Sequence, residues 1–490
     1  MVNELKILGL VLDSKYSFKA HCKHIKDCLV TRLNIIKYLT SKKSLIHPLT
    51  LINVTKALVI SKIDYALPIY GNCPASTMKI LSPPYHVAMR RSIRAFPTTP
   101  LKNLFAETGL PTIIDRTIDC TRRLLPKLLF TTNTILAKDA QNALSRKRKP
   151  KCLSAIARCV NFARQLELPS YKCSLGPETR PQWMIKNSSF AIKTLQLPKD
   201  KTSSEKYRQL FASQKSKYSS YGWNFIYTDG SKTANSSTFA VTKENGDLIR
   251  HGTLHTICSS FTAEVVALLE AVTYVNHTRG KYIVCTDSKS CIGAIESPEN
   301  TQNEIVAIRN NLLKYPNKLK LMWIPGHTGI SGNEKADAAA KNAANTPTIT
   351  FGYFTKQDII TEITRLRKKS AKDNWSGYIH HYSKINPFRI KPTYTADITL
   401  RAIKPFTRLR LGHTIITHAY LLQRAPHGNC PFCDENATIQ HILTACPITA
   451  TIRHEIFNSA DPFQLLNEPT PKNVNMIYNF FKETDLLRRI

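Results

Sequence analysis

Apolar positions along this chain fall into two rhythms, and the change between them divides it. Near the start, Leu5-Lys6-Ile7-Leu8-Gly9-Leu10-Val11-Leu12 is a short apolar run that predicts one buried strand, closed by the turn signal Asp13-Ser14. The period then becomes helical. Phe18, Cys22, Ile25, Leu29, Leu33, Ile36 and Leu39 recur three and four residues apart, while Lys19, Lys23, Lys26, Arg32 and Lys37 lie off that face. A second apolar helix is predicted over residues 49–65. Further helices follow over 85–96, carrying Arg90, Arg91 and Arg94, over 100–108, stopped by Gly109, and over 112–125, leading into Pro126. From 170 to 222 the periodicity fades into Ser, Lys, Tyr and Pro, which predicts a connection with one short helix at 205–213.

The second rhythm starts at Trp223. Strands are predicted at 223–229, 237–243 and 248–256, with Asn245-Gly246 as a hairpin turn between the last two. The stripe Phe261, Val265, Leu268, Leu269, Val272 and Val275 predicts a helix over 261–276 with Glu264 in its first turn. A strand at 281–286 runs to Asp287. Helices at 288–296 and 302–314, a strand at 319–323 and a helix at 331–344 complete the series. Three successive strands followed by alternation of strand and helix imply a mixed sheet with helices packed on it. Beyond it, 356–375 reads as a charged helix and 376–400 is less regular.

Charge adds a second division. The net charge is +35, which favours a polyanionic partner, because neutralising phosphates releases counterions. Residues 1–220 carry 38 Lys and Arg against 12 Asp and Glu, residues 221–345 carry 12 against 11, and residues 346–490 carry 19 against 11. The centre is nearly neutral and both flanks are basic. The compact run Ser145-Arg146-Lys147-Arg148-Lys149-Pro150-Lys151 suits a nuclear-import signal, a nucleic-acid patch or a linker equally. The 13 cysteines accompany no secretory-type apolar segment at the start, and no run approaches a membrane span of about 18 residues. Reduced thiols and an intracellular protein, with the nucleus as one destination, are the expectation.

The central stretch also carries chemistry. Asp229 and Asp287 at strand ends, with Glu264 and Asp337 on helices, are placed to converge at one sheet edge. Crowded carboxylates repel one another, so such a cluster implies a divalent cation, and hard cations such as Mg²⁺ take carboxylate oxygen. Two ions about 3.5–4 Å apart activate a water and stabilise a leaving oxygen in phosphodiester hydrolysis. Tyr227-Thr228-Asp229-Gly230-Ser231-Lys232, Thr262-Ala263-Glu264, Thr286-Asp287-Ser288 and the segment from Gly326 to Asp337 resemble the ribonuclease H family in order, spacing and context. The resemblance implies a five-stranded mixed sheet with flanking helices. It implies cleavage of the RNA strand of an RNA–DNA hybrid with two Mg²⁺ ions, Mn²⁺ being an alternative. The family's carboxylates fall on Asp229, Glu264, Asp287 and Asp337, and its mobile-loop histidine, associated with water organisation and product release, falls on His327. Glu334, three residues before Asp337, is an alternative metal carboxylate. No second basic insertion follows the helix at 288–296, so grip on a hybrid falls to the basic flanks.

Near the C-terminal end, Cys430, Cys433, His441 and Cys446 have the spacing C-x2-C-x7-H-x4-C, which suits a tetrahedral Zn²⁺ site, with His427 a substitute ligand. Residues 7–130, the central stretch and the 409–446 segment together look like the C-terminal part of a LINE-type (non-LTR, Jockey-like) retrotransposon polyprotein. That resemblance implies four regions. Residues 1–130 are a helical thumb and connection remnant of a reverse transcriptase, and 131–220 a basic linker. Residues 221–345 are the ribonuclease H domain, and 346–490 a helical region with a small zinc knuckle at 430–446. No Asp-Asp dipeptide occurs, so no polymerase activity is expected. The partners implied are RNA–DNA hybrid and other nucleic acid, with no membrane; a remnant that binds nucleic acid without cutting it is the alternative.

Overall fold

The computed structural model describes residues 3–41, 45–130, 138, 155–168, 180–186, 189–197, 202–345, 349–395, 397–458 and 460–490. The basic run at 145–151 lies outside them. The described residues form two compact units. One takes those up to Leu124, residues 155–159 and Arg365–Ile490; the other takes 125–130, 138 and Val160–Thr364.

In the first unit the predicted single strand at 5–12 is instead a hairpin, with β1 (Glu4–Ile7) antiparallel to β2 (Leu10–Asp13). Leu8 (φ 46°) and Gly9 (φ 82°) both adopt left-handed backbone, the geometry of a two-residue hairpin turn, so the apolar run folds back on itself. β1 is exposed along its whole length. The helix Lys19–Leu39 buries Cys22, Ile25, Leu29, Leu33 and Ile36, the face its period predicts. The 49–65 helix is present as Pro48–Thr55, a π-helical turn at Lys56–Ile60 and Ser61–Asp64. Gly109 (φ 67°) ends the helix Leu101–Thr108. Pro126 does not end the helical stretch at 112–125; it falls in the first turn of a new helix, Leu124–Leu129, where its missing N–H costs little.

Predicted as separate flanks, 1–130 and 346–490 contribute to this one unit. Trp375, Tyr382 and Leu411 share a core with Ile25, Leu29, Leu81 and Leu104. Glu107 and Arg410, each buried to 1% side-chain exposure, form an ion pair at 3.3 Å, and Tyr382 and Tyr394 donate to the same carboxylate. Arg367 pairs with the buried Asp119 at 3.0 Å. A second core gathers Ile385, Phe406, Ile442, Phe457, Phe480 and Phe481.

The second unit is built on a mixed sheet of order β3-β8-β7-β4-β5-β6: β3 (Ala191–Ile192), β4 (Trp223–Lys232), β5 (Ser237–Lys243), β6 (Leu248–Leu254), β7 (Lys281–Thr286) and β8 (Leu319–Trp323). β4, β5 and β6 are antiparallel; β4, β7, β8 and β3 are parallel. Five strands are those predicted. The sixth, β3, comes from the predicted connection and adds two residues to the edge of β8. The connection also holds the helix Ser204–Ser220, longer than predicted because its polar face gives little period beyond Tyr207 and Phe211. β7 and β8 bury Ile283, Val284, Cys285, Leu321, Met322 and Trp323, as strands covered on both faces do.

This unit runs past the predicted boundary at 345. Phe351 packs edge-on against the Phe239 ring at 5.0 Å and bridges to Leu254. Asp358, 1% exposed, accepts hydrogen bonds of 2.9 Å from the Ser259 N–H and the Thr262 hydroxyl. The segment after residue 345 therefore caps the start of the helix Ser260–His277.

Candidate active site

Asp229 lies within β4, opposite Ala240 of β5, one residue past the last parallel pair of β4 with β7, Thr228 with Thr286. Asp287 follows that same pair on β7, so parallel register alone brings the two aspartates to one end of neighbouring strands. Glu264 comes from the first turn of the helix Ser260–His277. Ser259 caps that helix by accepting from the Thr262 N–H at 3.2 Å, and Asp358 holds both residues. Gly230 makes the approach possible: a Cβ there would overlap the Ala263–Glu264 backbone.

One carboxylate oxygen from each of Asp229, Glu264 and Asp287 lies within 4.8 Å of the others. Asp229 and Glu264 are each 7% exposed. Glu264 Oε2 is buried with no hydrogen-bond partner. Burial first, and then the Asp287 and Asp337 charges, push the Asp229 carboxyl up to about 7, against the Lys341 charge and the Gly230 N–H. Burial, Asp229 and Asp287 push Glu264 well above the usual carboxylate range. Both shifts have the physical cause expected where negative groups are desolvated together without a cation.

Asp337, on the helix Ser331–Ala343, stands outside this trio and pairs with Lys341 at 2.7 Å. It is close enough for its charge to act on Asp229. Glu334 is exposed and is not part of the trio. His327 is exposed on the loop between β8 and the helix Ser331–Ala343, with left-handed backbone (φ 57°). The residue before it was not among the predicted site residues. A Cβ on Gly326 would overlap Asp287 Oδ2, so this glycine lets the loop close over the carboxylate. Trp323 Nε1 donates to the Asp287 carbonyl at 3.0 Å, and Lys289 stands 4.4 Å from the centre of the Trp323 ring. Gly326 and Asp358 carry a sequence signal only in hindsight. One is a glycine in a Pro-Gly turn; the other is an acid just after Thr355, whose hydroxyl donates to it.

The first unit holds a second cluster. Ligand atoms of Cys430, Cys433, His441 and Cys446 all lie within 4.8 Å of one another. The Cys430 and Cys446 sulfurs are 3.9 Å apart, and Cys433 Sγ is 3.2 Å from His441 Nε2. Tetrahedral Zn–S bonds of about 2.3 Å place sulfurs roughly 3.8 Å apart, so the donor set and its spacing fit zinc. A tight turn supports it, with the Cys430 N–H donating to the Glu435 carbonyl at 2.7 Å. His427 is exposed and stays outside the cluster.

Residues 223–345 match the family model of RNase H. That stretch is thus a ribonuclease H domain, and the match supports ribonuclease activity on RNA–DNA hybrids. Among solved structures, the RNase H1 of the halophilic archaeon Halobacterium salinarum NRC-1 is similar over 25% of this chain and 98% of that chain, at 20% identity and a TM-score of 0.21. No helix among the described residues is long and apolar enough to cross a membrane.

Proposed function

We propose that this protein hydrolyses the RNA strand of RNA–DNA hybrids endonucleolytically, with Asp229, Glu264, Asp287 and Asp337 as the metal-holding carboxylates. The observation that carries this reading is the partnerless, buried Glu264 Oε2 beside Asp229 and Asp287. A buried carboxylate oxygen with no donor is costly unless a cation meets it. The all-oxygen donor set fits Mg²⁺ or Mn²⁺. When bound, such ions supply an activated water and a stabilised leaving oxygen. The chain's own share is to hold three carboxylates at one end of β4 and β7, to keep Glu264 dry, and to rest the Gly326 loop against Asp287. In this reading His327, exposed on that loop, organises water and assists product release. Asp337, paired with Lys341 at 2.7 Å, would be the fourth residue to hold such an ion.

In this reading the chain derives from a LINE-type retrotransposon polyprotein, with a reverse transcriptase remnant before the ribonuclease H domain and no polymerase activity. The basic flanks hold nucleic acid, and Cys430, Cys433, His441 and Cys446 hold Zn²⁺. The deciding experiment incubates the full chain with a labelled hybrid and Mg²⁺, beside an Asp229→Asn variant. Cutting by the parent, lost in the variant while hybrid binding persists, is the expected result. Binding without product in the parent would make it a nucleic-acid-binding remnant, and equal cutting by the variant would remove Asp229 from the site.

A further inference from the structure

In the first unit a half-open cleft of ≈ 700 Å³ is lined by the end of the helix Ser82–Ser92, the residues that follow it, and the helix Leu400–Leu411. Arg90, Arg91, Arg94, Arg401, Lys404 and Arg408 line it, and among the described residues no Asp or Glu does. Arg401, Lys404 and Arg408 are spaced three and four apart, so they share one helix face. Arg91, Arg401 and Lys404 are exposed at the rim, whereas Arg90, Arg94 and Arg408 are half-buried.

The inner guanidiniums are held by backbone oxygens. Arg90 Nη2 donates to Thr99 at 3.0 Å, Arg94 Nη1 to Ile46 at 3.1 Å, and Arg408 to Arg94 at 2.9 Å and Ile490 at 2.6 Å. At Arg90 the Thr99 carbonyl orients the guanidinium and leaves its charge in place. Arg90 Nε is buried without a partner. Burial lowers the Arg408 pKa to about 10 and moves Arg90 and Arg94 in the same direction. Like charges held together and partly dried cost free energy that an anion offsets.

We infer that this cleft binds the phosphodiester backbone of a single nucleic-acid strand. Leu45, Val87, Pro97 and Leu400 interleave with the cations. They offer apolar surface to sugars and bases that a lone inorganic anion would leave uncovered. The volume takes a few nucleotides. This site is separate from the carboxylates, so it stands or falls independently of hydrolysis.

The test is fluorescence anisotropy of the full chain with a labelled single-stranded RNA, repeated across salt concentrations. Single-stranded RNA is not the substrate proposed for the carboxylates, so the readout does not depend on cutting. The variant combines Arg91→Glu, Arg401→Glu and Lys404→Glu at the exposed rim. The control combines Arg279→Glu, Lys281→Glu and Lys314→Glu, the same charge change on exposed positions of the nearly neutral ribonuclease H domain. Loss of three phosphate contacts is expected to weaken binding by tenfold or more and to lower the log–log salt slope by about 2, at about 0.7 per contact for a single strand. The control is expected to change affinity by less than about threefold. Equal losses in both variants, or an unchanged slope, would overturn the cleft as the site. Two competitors are added to the parent protein. Inositol hexakisphosphate or anionic phospholipid vesicles binding where the RNA does not would overturn the strand in favour of a small polyphosphate or a membrane surface. Should the triple variant melt early, Arg91→Gln, Arg401→Gln and Lys404→Gln are scored by the same criteria.

Discussion

A methyl group added at Gly326 would meet the Asp287 carboxylate, so this position limits how the Asp287 side chain points. Gly326→Ala is expected to displace that side chain while leaving the core intact. Displacements near 1 Å cost on the order of a hundredfold in rate, so hybrid cutting should fall by roughly tenfold to a hundredfold. The Mg²⁺ concentration needed for half-maximal cutting should rise, and the melting temperature should stay unchanged; a kinetic Mg²⁺ titration beside a thermal melt checks both. Glu107 is the counterpart in the first unit. Its carboxylate neutralises Arg410 and accepts from Tyr382 and Tyr394, all buried. Glu107→Gln leaves the Arg410 charge buried and uncompensated, which costs about 3–5 kcal/mol; urea denaturation measures the loss. These residues differ in what the chain discloses. Asp229, Glu264 and Asp287 stand in recognisable local motifs, whereas Glu107 meets a residue 303 positions away, and nothing local marks that pairing.

Elements with a single dominant period were readable. The helix Lys19–Leu39 follows its apolar period because one core faces it, and β7 and β8 read as continuous apolar runs because both their faces are covered. β3 was not readable, since two residues carry no period and the edge of β8 supplies their pairing. A stack of imidazoles gives the first unit a pH response. The His413 and His418 rings lie 3.5 Å apart, and His380 stacks 5.7 Å from His413. Burial leads in holding His413 near 3 and His418 near 4; His380 acts on both, with His418, His381 and Arg90 adding to His413 and His427 to His418. Unfolded imidazoles accept protons near 6.5. Between that value and the folded values the unfolded chain binds more protons, so stability present above about pH 6.5 is lost as pH falls towards 4. Melting curves across this range should show the loss, and a His413→Asn, His418→Gln variant should flatten it. At the Cys/His cluster, a Cys430→Ser, Cys433→Ser variant should carry less zinc by elemental analysis than the parent, which should carry about one ion per chain.

At the scale of the molecule, each compact unit is assembled from segments that are not contiguous along the chain. The boundary at 345 is where the family pattern ends, yet Phe351 and Asp358 finish the second unit. A fragment of residues 160–364 is expected to melt cooperatively, and one of residues 160–345 to melt at lower temperature. Losing the Asp358 cap alone is worth about 1 kcal/mol, and the apolar contact of Phe351 adds to it. Circular dichroism of the two fragments decides this. The union of both flanks was beyond sequence reading for a physical reason: each flank shows a helix with an apolar face, and no period states which other helix will cover it.

That union has a consequence in time. Ile25, Leu29, Leu81 and Leu104 are made early, but Trp375, Tyr382 and Leu411, which share their core, emerge only after roughly 270 intervening residues. At synthesis rates of about 5–20 residues per second, the early half waits about 10–50 s with an unfinished apolar face. The ribonuclease H domain has its whole sheet within that interval and can fold first. A ribosome that stalls before residue 365 would therefore release a finished nuclease domain tethered to half a core, a species suited to capture by chaperones or to rapid degradation.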